Sequence, residues 1–249
     1  MLKQIYYSTR EQLSARLLAL MVTLGVNLLF LVLTLGASPG SGVMITAVVF
    51  SSLALAYLIM VNMFVSFAGI HEVFSTPKGY HTLLAPVPSW KIILGRVVPA
   101  AVIDTLMMAV GIPLVVWQSL RLAGMTNDIT QHVNIVQDIL FGVIVVFVGY
   151  SFLLTAYCFF RTISKSLLHR APLRNFLSVL ATFVALWVVT SLTNLLLLPF
   201  GRVEIWGPLV NINLYPSPIV RLMYILVLLL QAAVFFLASA RLMERRLNI

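Results

Sequence analysis

The sequence predicts an all-α, polytopic membrane protein with six transmembrane helices and both termini on the cytoplasmic side. Three observations predict it. Of 249 residues, 61% are hydrophobic and only 9% charged, where a soluble domain carries about 25% charged residues. Mean hydropathy is +1.05. The apolar residues gather into six long runs. Lysine and arginine gather in alternate segments between those runs.

A bilayer core of about 30 Å needs about 20 apolar helical residues. The runs that meet this are Leu17–Gly36, Val43–Ile70, Ile92–Leu120, Asn134–Phe160, Asn175–Phe200 and Pro216–Ala240. The first, second and fifth hold no charge. The third contains Arg96 and Asp104, the fourth Asp138, and the sixth Arg221. The runs are apolar all round rather than alternating with period two, which excludes barrel strands. Backbone groups in lipid must pair within their own segment, so such runs become helices.

The charge balance orients them. There are 16 Lys+Arg against 7 Asp+Glu, a net charge of +9. In a soluble protein that balance would suggest nucleic acid. Here the positives follow the spans. One group comprises Lys3, Arg10 and Arg16 before the first span and Lys78, Lys91 and Arg96 between the second and third. It continues with Arg161, Lys165, Arg170 and Arg174 between the fourth and fifth, and Arg241, Arg245 and Arg246 in the tail. Only Arg121, Arg202 and Arg221 fall on the other side. Positive segments stay cytoplasmic, so the excess is a topology signal and nucleic acid is not an expected partner.

Residues 1–16 are read as an amphipathic interfacial helix. Leu2, Ile5, Tyr6 and Leu13 fall on one face, with Lys3, Arg10, Glu11 and Arg16 mostly elsewhere. No clean small-residue cleavage site follows the first run, and neither end carries a lipidation signature. Cys158 is the single cysteine, so intrachain disulfides and cysteine zinc clusters are excluded. The outer link ASPGSG at 37–42 is a tight turn. Residues 121–133 form a modest outer loop, and residues 200–215 suit a loop or a short re-entrant helix with Trp206 at headgroup level.

The cytoplasmic segment 71–91 is the most informative. His71-Glu72 ends the second apolar run, and Ser75-Thr-Pro-Lys78-Gly79 marks a turn. His81–Leu84 is a short helix-compatible stretch stopped by Pro86 and Pro88. Ser89-Trp90-Lys91 supplies a cap and an interfacial anchor for the third span. A compact element between two spans suits docking to a cytoplasmic partner; an ordinary Pro-bounded loop has the same composition.

These residues carry a family resemblance. Glu72 after the second span, then Gly79, then Leu83-Leu84-x-Pro86-Val87-x-x-Trp90-Lys91-Ile92-x-x-Gly95-Arg96 resembles the type 2 ABC exporter (ABC-2) permeases. The family's paired acidic residues are represented by Glu72 alone, with Lys78-Gly79-Tyr80 at the acidic-Gly-Thr spacing. The resemblance implies a transmembrane subunit that exports its substrate with ATP hydrolysed elsewhere. It implies a coupling helix around Lys78–Leu84, so that Glu72, Lys78, Gly79, His81, Leu83, Leu84 and Pro86 meet an ATPase. It also implies that the first helix and the 161–174 loop touch that ATPase, and that a second permease copy, identical or related, completes the assembly. The chain has no G-x-x-x-x-G-K-[ST] loop and no room for a nucleotide-binding domain. No cofactor is expected in this chain; ATP and Mg would be bound by the partner.

Inside the membrane, Asp104 is the unusual residue, sharing a helical face with Met108 and Gly111. An ionisable group in a span faces protein or water. It either lines a transport path or pairs internally, with Arg96 or with polar groups of a neighbouring helix. Asp138, one turn from the outer end, reaches interfacial water. Asn62/Ser66 and Thr190/Asn194 are pairs at i, i+4 that either line a substrate path or join helices by hydrogen bonds. Phe64 and Phe67 are read as packing residues. Metal sites and catalytic elbows are not expected: His71, His81 and Glu72 lack ligand spacing, and no G-x-S-x-G occurs.

Two other classes compete. A proton- or ion-coupled carrier would use Asp104, and carriers often show two similar halves, which this sequence lacks. A lipid-modifying membrane enzyme would cluster acids or histidines at one interface, and the seven acids here are scattered. The expected substrate is amphipathic or lipophilic, a peptide, lipid or drug. The expected location is a bacterial plasma (cell) membrane.

Overall fold

The structure is a computed structural model, and it describes residues 2–38, 40–75, 88–122, 135–167, 171–197 and 218–247. The described residues form six helices: α1 (Leu2–Leu33), α2 (Gly42–Ser75), α3 (Ser89–Leu122), α4 (Ile135–Leu167), α5 (Ala171–Leu197) and α6 (Pro218–Leu247). Each of the six is long and apolar enough to cross a membrane. Among the described residues the chain is all-helical, with the six helices of spanning length that the sequence predicts.

The helices outrun the apolar runs. α1 continues without a break through residue 16, so no boundary separates an interfacial helix from the first span. α2 passes His71 and Glu72 and ends at Ser75. α4 runs to Leu167 rather than Phe160, and α5 starts at Ala171. Of the expected 161–174 loop, Arg161 and Lys165 lie in the last turns of α4 and Arg174 in the first turn of α5, while Arg170 lies outside the described residues. Hydropathy marks where lipid ends, whereas a helix ends where its backbone loses partners or meets a breaker.

Local signals set several ends. Thr34 Oγ1 donates to the carbonyl of Phe30 at 2.7 Å, and the chain closes into a turn with Ala37 N bonded to Thr34 O. Gly40 adopts φ 76°, a left-handed conformation that glycine takes without a Cβ penalty. Ser41 Oγ accepts the amide of Met44 at 3.4 Å, a long N-cap contact that opens α2. Pro172 and Pro218 sit in the first turns of α5 and α6, where no intrahelical amide bond is lost. α3 carries Pro99 and Pro113 in its interior, each removing one ladder bond.

The chain divides into two compact units: Met1–Gly69 with Pro99–Ile139, and Ile70–Val98 with Leu140–Ile249. In the first unit α1 and α3 run parallel, with α2 antiparallel between them in sequence. A Cβ on Gly111 would lie 3.0 Å from a methyl of Leu55, 3.4 Å from one of Leu58 and 4.0 Å from that of Thr23. Gly111 therefore marks where α1, α2 and α3 approach closely. Phe30 and Phe50 stack with centroids 5.4 Å apart.

In the second unit Val148, Tyr224 and Leu228 form a core joining α4 to α6, with Phe141, Val145, Phe147 and Met223 against it. Phe235 of α6 makes edge-to-face contacts with Phe152 and Phe159 of α4, at 5.4 Å each. Large apolar side chains such as Leu18, Met21, Phe64, Leu106, Trp187 and Leu230 are exposed. Apolar exposure on this scale marks a surface made for lipid. Of the two phenylalanines read as packing residues, Phe67 is buried and Phe64 faces outward.

Candidate functional site

The first unit is built around polar groups. Arg16 of α1 and Asp104 of α3 are 1% and 0% exposed and form an ion pair, Nε to Oδ1 at 2.8 Å. Arg16 Nη2 donates to Asp104 Oδ2 at 3.3 Å and to Ser66 Oγ at 2.6 Å. Ser66 of α2 donates to Asp104 Oδ2 at 2.7 Å. One carboxylate thus ties three helices together, and both of its oxygens are engaged within the protein. Arg16 of α1 is a partner of Asp104 that the sequence reading, which offered Arg96 or polar groups of a neighbouring helix, did not name. The alternative, polar groups of a neighbouring helix, holds through Ser66.

This triad is the first rung of a ladder. Arg16, Thr23, Asn27 and Thr34 share one face of α1, at spacings of seven, four and seven residues, and all are buried. Thr23 Oγ1 contacts the carbonyls of Ala19 and Ala54 at 2.9 and 3.0 Å. Gln118 of α3 donates to the carbonyl of Asn27 at 3.2 Å. Arg121 Nη2 donates to the carbonyl of Thr34 at 2.7 Å. The α1–α3 offsets are 88, 91 and 87 residues for Arg16–Asp104, Asn27–Gln118 and Thr34–Arg121. A near-constant offset is the register of two parallel helices in contact along their length, with a repeat close to the heptad.

Several polar atoms in this interior have no hydrogen-bond partner among the described residues. They are both amide atoms of Asn62, Asn27 Oδ1, Gln118 Oε1, Ser51 Oγ and Thr105 Oγ1. Asn62 is 0% exposed. The proposed path residues Asn62, Ser66 and Asp104 accordingly lie inside one unit. Thr190 lies in the other unit and is half-buried. Asn194 is in α5, and its side chain, like that of Asp138, lies outside the described set.

The second unit holds another buried arginine. Arg161 is 1% exposed. It donates to Asn175 Oδ1 at 2.5 Å, and its other terminal nitrogen is 2.6 Å from His71 Nδ1. His71 therefore serves as an acceptor for Arg161, which is how α4 continues past residue 160 without leaving a guanidinium bare in an apolar setting. Arg16 and Arg161 both counted toward the cytoplasmic excess in the sequence; both side chains are interior. Without these two, the same alternate segments of the sequence hold eleven positives against three.

Of the coupling residues, Glu72 lies half-buried in the penultimate turn of α2. Lys78, Gly79, His81, Leu83, Leu84 and Pro86 lie outside the described residues, as does Trp206. The described part of the motif opens α3, where Lys91 N bonds to Pro88 O at 2.9 Å. Lys91 also sits 5.3 Å from the centroid of the exposed Trp90 ring, a cation–π pair. Among the described residues no three His, Cys, Asp or Glu side chains come together as a metal site.

Arg16, Asn27, Gln118, Arg121, His71, Arg161 and Asn175 were missed as site residues in the sequence. A signal for the α1 set existed: four polar residues at seven–four–seven spacing in the otherwise apolar stretch 16–34. No family model, curated protein or solved structure matches the chain.

Proposed function

We propose that the chain is the transmembrane subunit of an ATP-driven exporter of the ABC-2 type, working with a separate cytoplasmic ATPase and a second permease copy. The observation that carries this reading is the motif from Leu83 to Arg96, which begins after the second of six apolar helices and runs into the start of the third. Both termini and the 76–88 segment are assigned to the cytoplasm, because the remaining basic residues concentrate there. Residues 1–16, continuous with the first span, are assigned to the cytoplasmic interface. The cell membrane, in a bacterium, is the assigned location. The substrate is amphipathic or lipophilic, in keeping with six apolar helices that hold few charges.

An ion-coupled carrier would need Asp104 to meet its ion. The engagement of both carboxylate oxygens by Arg16 and Ser66 favours a structural role for Asp104 and leaves the permease reading ahead.

The test replaces Leu83 and Leu84 together by Asp. The two residues lie outside the six apolar helices, so insertion is expected to be unchanged. ATPase association and ATP-dependent export should fall at least tenfold, about 1.4 kcal/mol of docking free energy. Wild-type association and export in a correctly inserted variant would reject the coupling assignment.

A further inference from the structure

We propose that the interior of the first unit is a water-binding site, in which ordered water molecules hydrogen-bond the amide of Asn62 and the oxygens of Asn27, Gln118, Ser51 and Thr105. This inference is independent of the exporter reading. It starts from the six side-chain atoms of these residues that have no protein partner among the described residues. All five residues are at most 5% exposed, and all belong to one unit. A polar atom left unpaired in an apolar interior costs roughly 1–3 kcal/mol, so six of them together would weigh heavily on a fold of ordinary stability.

The usual escape is not taken. Hydroxyls in a buried helix commonly bond the carbonyl one turn back, as Thr23, Thr34, Thr46 and Ser119 do here. Ser51 and Thr105 do not. The set also selects the ligand. Asn62 presents a donor and an acceptor, and the remaining atoms are an amide oxygen each on Asn27 and Gln118 and two hydroxyls. A cation would satisfy the oxygens but not the Asn62 amide nitrogen, and would meet the Arg16 guanidinium. An anion would face the oxygens. Water both donates and accepts, and buried waters typically make about three such bonds.

Helix register places these groups in sequence along the unit. Leu58 of α2 and Gly111 of α3 are opposed, and Ser66 and Asp104 are in contact. Because α2 and α3 run antiparallel, Asn62 falls level with Met108, between those two contacts. Thr105 is beside Asp104. Asn27 and Gln118 meet two turns beyond Gly111. The site is bounded by the Arg16–Asp104–Ser66 triad at one end and by the Arg121–Thr34 contact at the other. Residues 16 to 34 of α1 rise about 27 Å, close to the thickness of the hydrocarbon core.

The test uses the native chain in lipid nanodiscs, with bound and bulk water converted to hydroxyl radicals by a millisecond X-ray pulse. Methionines report where water was. Met108 is 5% exposed, while Met21 and Met60, on the outer faces of apolar helices, are 69% and 54% exposed. Met108 is expected to oxidise at least about fivefold faster than either, because a buried polar site holds water where lipid does not. Oxidation of Met108 no faster than Met60 overturns the proposal. A second measurement is the melting midpoint of Asn62→Leu. Loss of a hydrated amide lowers it, whereas a raised midpoint means the amide was dry and overturns the proposal as well.

Discussion

Replacing Asp104 with Leu should be among the most damaging single changes in the first unit. At 2.8 Å, an effective dielectric of about 20 gives the Arg16–Asp104 pair an attraction of about 6 kcal/mol. Placing each charge at membrane depth costs about 2.5–3.5 kcal/mol on insertion scales. The two sums nearly cancel, so the pair is close to neutral relative to an apolar pair. Breaking it is different. Asp104→Leu leaves a guanidinium that is 1% exposed without its carboxylate, and loss of one partner of a buried pair costs about 3–5 kcal/mol. At about 2–4 °C per kcal/mol for a chain of this size, the midpoint should fall by about 6–20 °C. Cys158, the single cysteine and 2% exposed, supplies the assay: a thiol-reactive fluorophore should label it only on unfolding. The double variant Arg16→Leu with Asp104→Leu should recover to within about 2 kcal/mol of wild type. A shift below 2 °C for the single variant would refute the reasoning, as would a double variant that loses the sum of both singles.

Three further outcomes follow from the same geometry. Removing Asn175 or His71 by substitution to Ala deprives Arg161 of an acceptor and should cost about 1–3 kcal/mol each; equal losses from substitutions at the outward-facing Phe176 would contradict this. Gly111→Ala should be tolerated at about 1 kcal/mol or less, since the 3.0 Å contact is to the flexible end of Leu55. Gly111→Leu should cost about 1–3 kcal/mol by overpacking, and melting curves of the two decide it. Ser66→Ala removes one hydrogen bond to the Asp104 carboxylate and should cost about 1.5–3 kcal/mol, well short of Asp104→Leu.

The number and type of elements were legible because lipid imposes a simple rule on the sequence. Helix ends were less so. His71, Arg161 and Lys165 read as loop residues because they are polar, yet Arg161 stays helical by finding Asn175 and His71. The partner of Asp104 was hidden for a related reason. Arg96 is near it in sequence, while Arg16 reaches it only once α1 and α3 pack in parallel at an offset of 88 residues. Periodicity could have suggested this, since Arg16, Thr23, Asn27 and Thr34 form one polar face on α1. Of the residues singled out for a substrate path or helix joining, Asn62, Ser66 and Asp104 are buried in one unit, whereas Thr190 belongs to the other.

The most direct test of the exporter reading is site-specific photo-crosslinking from the 76–88 segment in membranes of the native host. A photoreactive amino acid at His81 should capture a chain that contains a phosphate-binding loop, and ATP should change the yield. Crosslinks only to lipid, or a yield indifferent to ATP with no nucleotide-binding chain captured, would contradict the account.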